Sequence, residues 1–163
     1  MRSIFLAVAA ILSFGSISTH AQHADDKAAL QGLNEVKVIF DLTEGDGKTL
    51  NTYLNVVEEA RQSLIKQGVK PQIVLAFRGP ATRLVQTDQS QIKPEDREYA
   101  TKIAATIKAL SSAEGVAAIE QCGVAVRMVG TKPENVVPGV KVVGNSWISL
   151  AGYQAKGYGY ISP

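Results

Sequence analysis

The sequence predicts an α/β domain: a mainly parallel sheet covered by helices on both faces. Two observations carry this. Compact β-branched runs, such as Val36 to Asp41 and Gln72 to Phe77, alternate with segments whose apolar residues recur at helical spacing. Gly and Pro separate the segments, and no internal repeat or low-complexity tract interrupts them.

The first residues stand apart. Met1-Arg2-Ser3 is a short basic start, and Ile4 to Ile17 is apolar or small, interrupted weakly by Ser13, Gly15 and Ser16. Thr19-His20-Ala21 places small residues at −3 and −1 of a cleavage site. Residues 1–21 therefore read as a secretory signal peptide, with an uncleaved anchor as the alternative. The stretch is short for a membrane span, which takes roughly 20 apolar residues. Residues 22–34 are a lead-in, polar and Ala-rich from Gln22 to Gln31, either loose or a short helix. Residues 35–163 form one α/β domain.

Val36 to Asp41 is a buried strand, followed by a turn rich in Gly and acid from Leu42 to Gly47. Leu50, Leu54, Val57, Leu64 and Ile65 give Lys48 to Gln67 helical spacing, and Gly68 stops it. Gln72 to Phe77 is the second strand, broken by Arg78-Gly79-Pro80. Thr82 to Gln91 is a short helix and then a polar loop. Pro94 suits a first helical turn, with Glu95 and Asp96 placed favourably for the helix dipole. Tyr99, Ile103, Ile107 and Leu110 form the stripe of that helix, and Gly115 ends it. Val140 to Val143 is a short strand. Asn145 or Ser146 caps a helix reaching about Lys156, and Tyr158 to Ile161 is a last strand. Trp147, Leu150, Ala151 and Gln154 share one side of that helix. They are expected to pack on the sheet, with a subunit contact as the alternative.

Cys122 is the one cysteine, so no internal disulfide exists. Two local readings are equally supported. If Val116 to Gln121 is a strand and Gly123 opens a helix, the sulfur lies beside free N–H groups that favour thiolate. If the segment continues as helix, Cys122 sits at a helix C-terminus, which opposes it.

The formal charge of +2 over 163 residues makes no electrostatic case for nucleic acid. The export signal implies a periplasmic or secreted protein in an oxidising compartment, where a lone thiol is unusual. No histidine occurs beyond His23, which excludes Cys/His and Ser/His/Asp sets and a His-based zinc site from the domain. Gly47-Lys48-Thr49 resembles the end of a phosphate loop, but Leu42 stands where a Gly is required. Asp41, Glu44 and Asp46 fall short of a metal shell. No metal and no cofactor is expected.

Ligands of open α/β sheets gather at the carboxyl ends of strands. Asp41, Arg78, Gly79 and Asn145 are expected to line such a pocket around Cys122, with Arg78 lending a fixed positive charge.

An ordered set of features resembles the DsrE/DsrF-like family. It comprises Val38-Ile39-Phe40-Asp41, a strand entering Arg78-Gly79-Pro80, Gly115-Val116 followed by Cys122, Pro138-Gly139-Val140, and Asn145-Ser146-Trp147 with the tail to Gly157-Tyr158. The resemblance implies a three-layer α/β/α sandwich around a mostly parallel five-stranded sheet. It also implies assembly as a trimer or hexamer, and a cysteine following the third strand. In sulfur-relay members that cysteine carries a persulfide. By resemblance, Cys122 would accept sulfane sulfur and pass it to a thiol-bearing partner protein, as a carrier and not a turnover enzyme. This chain has Arg78 where many members have His. The alternative is a small-ligand-binding or assembly module in which Cys122 is structural. A thiol-dependent redox enzyme would need a resolving cysteine from a partner.

Overall fold

The computed structural model describes residues 25–163. The signal-peptide reading lies outside them, as does the start of the lead-in. The elements run α1 (Lys27–Leu30), β1 (Glu35–Leu42), α2 (Gly47–Lys66), β2 (Lys70–Phe77), α3 (Arg97–Leu110), β3 (Val116–Cys122), α4 (Gly123–Met128), β4 (Lys141–Val143), α5 (Ser146–Ala155) and β5 (Gly159–Ile161). Among the described residues, no helix is long and apolar enough to cross a membrane.

The five strands form one sheet in the order β4-β3-β2-β1-β5, and every pairing is parallel. The order explains the layers. From β1 to β3 the chain steps across the sheet in one direction. Right-handed crossovers therefore place α2 and α3 on the same face. After β4 the chain reverses and returns to the far edge beside β1, so α5 lands on the opposite face.

The two cores match this. Leu50, Leu54 and Val57 of α2 and Ile103, Ile107 and Leu110 of α3 pack on Val38, Leu42, Ile73, Leu75, Phe77 and Ile119. The alternate residues Ile39, Val74 and Ala76 face Leu150 of α5, with Ala118, Tyr153 and Tyr158 at the margin. The sheet covered on both faces is thus as the residue pattern predicts, and the three layers around five strands are as the family resemblance implies, with the last strand parallel like the others.

Two local expectations change. Thr82 to Gln91 holds no α-helix; it forms short 3₁₀ turns at Gly79–Arg83 and Gln89–Gln91. Thr82 is tied down from both sides: its hydroxyl accepts from Gln121 Nε2 at 2.9 Å and its carbonyl from Gln86 Nε2 at 2.8 Å. Trp147 does not pack on the sheet and is 69% exposed. The inward stripe of α5 runs one residue out of phase with the expected one. Ser146 and Leu150 are buried and Tyr153 is half-buried, at i, i+4 and i+7.

Candidate functional site

The carboxyl ends of the strands hold two separate groups of polar side chains. The first centres on Cys122. It is the last residue of β3 and the N-cap position of α4, in extended backbone conformation. Side chains alternate along a strand, so Cys122 shares a sheet face with Glu120 and Ala118, the face that α5 covers. The start of α5 comes down on the sulfur. Sγ accepts a hydrogen bond from the Ser146 N–H at 3.4 Å. Asn145 fixes that terminus, its Oδ1 accepting from the Trp147 N–H at 3.0 Å.

Two helix N-termini therefore converge on one sulfur. The close approach depends on Gly123. A Cβ there would lie 2.6 Å from the Val143 carbonyl oxygen, so only glycine lets the end of β4 pack this near to the start of α4.

Burial is the largest single influence on the Cys122 thiol and pushes its pKa up. Against it act the Ser146 N–H, the Ala125 N–H, the Ser146 hydroxyl and the Val124 N–H. Together they bring the thiol below its ordinary value. The Ser146 hydroxyl is fully buried and makes no hydrogen bond of good geometry among the described residues. It is an unspent donor beside the sulfur. Cys122 itself is 6% exposed, so the thiolate is favoured but screened.

Ser146→Ala removes that hydroxyl and leaves the backbone N–H. Alkylation at neutral pH is expected to slow by about twofold, the lower end of a hydrogen bond's worth at about 0.5 kcal/mol, because the hydroxyl lies near the sulfur without good hydrogen-bond geometry. The midpoint of the rate against pH should move upward. Stopped-time iodoacetamide labelling across a pH series reads both, and an unchanged profile would remove Ser146 from the cradle.

The second group centres on Asp41, near the end of β1 and 1% exposed. Arg78 grips it with two bonds, Nε to Oδ1 at 2.7 Å and Nη2 to Oδ2 at 2.6 Å. The Tyr160 hydroxyl of β5 donates to Oδ2 at 2.6 Å. Arg78 lies one residue beyond the pairing of Phe77 with Gln121, level with Cys122. Its guanidinium nevertheless turns toward β1. Gly79, at φ +56, then swings the chain out of β2. Thus Asp41 joins Arg78, Cys122 joins the Asn145-Ser146 turn, and no hydrogen bond among the described residues links the two groups. Asp46 is spent as the N-cap of α2, accepting from the Thr49 N–H at 2.8 Å.

Sequence reasoning missed Ser146 as a neighbour of the sulfur, because 24 residues separate them. It also missed Glu120. That residue is 6% exposed and accepts from the Tyr153 hydroxyl at 3.1 Å. Burial, then the charge of Glu120, pushes Tyr153 up to about 12, so its phenol stays a donor. The signal was present: Glu120 lies two residues before Cys122 on one strand.

A parallel sandwich with a single thiol at its carboxyl edge defines the class of the protein. The model of the DsrE/DsrF-like family matches residues 37–163, and the chain belongs to that family. An uncharacterized protein of Aquifex aeolicus (strain VF5) is 25% identical over 126 residues, covering 77% of this chain and 55% of that protein. The chain thus spans about half the length of that curated relative. A solved structure, a protein of unknown function from Methanobacterium thermoautotrophicum, is similar in fold. Its TM-score is 0.59 at 20% identity, over 78% of this chain and 99% of that one.

Proposed function

We propose that this protein is an exported carrier of sulfane sulfur, holding it as a persulfide on Cys122. The observation that carries the reading is the Cys122 sulfur at the meeting of two helix N-termini, with its thiol brought below the ordinary value. Such a cradle favours the attacking thiolate and equally the anionic persulfide it forms.

The chemistry needs no external oxidant. The Cys122 thiolate attacks the outer sulfur of a persulfide donor, R–S–SH. The donor's S–S bond breaks as the new one forms. The donor leaves as the thiolate RS⁻, and the persulfide remains on Cys122. Handing the sulfur to an acceptor thiolate repeats the step in reverse sense, which suits a carrier working with a thiol-bearing partner. Exposed Trp147 and Ile148, one and two residues beyond Ser146, offer apolar surface for such a protein or for a second copy in a trimer or hexamer.

Incubation with inorganic polysulfide, followed by intact mass, should show one added sulfur on the native protein and none on Cys122→Ser. Native alkylation should have its midpoint in pH below that of the same thiol in the denatured protein.

The 6% exposure of Cys122 favours the second reading, a binding or assembly module with a structural thiol. Silence toward both reagents until denaturant is added, with loss of folding in Cys122→Ser, would establish that reading instead.

A further inference from the structure

On the sheet face that Cys122 shares, β3, β4 and α5 border an open cleft of about 440 Å³. Glu120, Lys141, Asn145, Ile148, Tyr153 and Lys156 line it. We propose that this cleft binds a small zwitterion of the amino-acid type, its ammonium on Glu120 and its carboxylate between Lys141 and Lys156.

Glu120, one of the residues that line the cleft, has an unmet hydrogen bond. Glu120 is more than nine-tenths buried. One carboxylate oxygen takes the Tyr153 hydroxyl, and the other, Oε2, is buried with no hydrogen-bond partner among the described residues. Burying a carboxylate oxygen without a donor is costly, so the position calls for one. No Lys or Arg nitrogen pairs with Glu120 among the described residues.

Two cations stand close without taking that role. Lys141 is the register neighbour of Glu120 on β4, so both side chains rise on the same face. Lys156 lies with Nζ 5.5 Å from the Tyr153 ring centre. Neither lysine forms an ion pair among the described residues. The cleft is thus lined by a carboxylate with one unpaired oxygen, which a turn of the Glu120 side chain would bring to a ligand, and by two cations. A simple anion would meet the Glu120 carboxylate, and a simple amine would meet the lysines. A molecule bearing both charges a few ångströms apart satisfies both ends.

The position also suggests the side chain of that ligand. Cys122 is two residues beyond Glu120, about 7 Å along the strand at roughly 3.3 Å per residue. That distance fits an amino acid whose short side chain ends in sulfur. On the carrier reading above, and resting on it for this step alone, the ligand is a low-molecular-weight thiol amino acid bearing the persulfide to be transferred.

Calorimetric titration of the wild-type protein with S-methyl-L-cysteine, which cannot exchange sulfur with Cys122, tests the cleft alone. Saturable binding in the millimolar range or tighter is expected. It should weaken by about tenfold or more in Glu120→Gln, a difference of about 1.4 kcal/mol. Lys156→Ala, at an exposed position, should weaken it while leaving the thermal midpoint in place. Acetate and ethylamine should each bind at least about tenfold more weakly than the zwitterion. Absence of binding, equal binding by both variants, or acetate binding as tightly as S-methyl-L-cysteine would overturn the inference. Its failure is distinct from failure of the carrier reading: a protein that gains sulfur from polysulfide but ignores S-methyl-L-cysteine keeps the first and loses the second.

Discussion

Asp41→Ala should lower the unfolding free energy by about 3 kcal/mol, toward the lower end of the loss caused by removing one member of a buried ion pair. Asp41 is 1% exposed and takes three hydrogen bonds, two from Arg78 and one from Tyr160. Truncation leaves a guanidinium whose side chain is 28% exposed. Water can therefore reach part of it, which sets the loss below the value for a fully enclosed cation. Tyr160→Phe removes one neutral donor and should cost about 1 kcal/mol. The two losses will not add, because both act on the same carboxylate. Urea denaturation of the single and double variants measures the set. A loss below about 1 kcal/mol for Asp41→Ala would mean that the pair is solvated and does not hold the strand ends.

These three residues tie together the ends of three strands. Asp41 is on β1, Arg78 comes just after β2 and Tyr160 is on β5. The last strand is exposed at all three of its positions and meets β1 over only three register pairs. Its tyrosine therefore ties down an edge that has little apolar burial of its own.

Arg78 also marks the limit of what local sequence pattern conveys. The strand Gln72 to Phe77 and its Arg-Gly-Pro ending are visible in the sequence. Which side the guanidinium turns to is not, because β1 and β3 flank β2 symmetrically until the sheet order is known. Cys122 shows the same limit in another form. Composition leaves its segment between strand and helix. The pairing of Val74, Leu75, Ala76 and Phe77 with Ala118 to Gln121 makes it strand, so tertiary pairing overrides the helix preference of Ala and Glu. Ser146 is a neighbour of the sulfur only because α5 crosses back over the sheet. The phase of α5 is hard to read from sequence because Trp147 is large and apolar, a residue type that patterning places inside. The buried position beside it is a serine, whose backbone N–H meets the sulfur.

Gly123→Ala sets two effects against each other, and their magnitudes decide the outcome. Alanine in a helix is favoured over glycine by roughly 0.5–1 kcal/mol. The new methyl would lie 2.6 Å from the Val143 carbonyl oxygen and 3.4 Å from that of Gly144. Those are backbone atoms, which cannot rotate aside, and forcing a methyl into such a space costs about 1–3 kcal/mol. A net loss of about 1–2 kcal/mol is expected. A change in the thiol should accompany it, because Gly144 leads directly into Asn145 and Ser146. Moving the end of β4 outward draws the Ser146 N–H and hydroxyl away from Cys122, so the thiolate loses support while gaining access to water. Alkylation should then have a higher midpoint in pH but a faster plateau above it. Urea denaturation and the pH profile of labelling separate the two consequences. A stabilised variant with an unaltered profile would mean that β4 slides freely past α4, and that the spacing at Gly123 does not hold the cradle together.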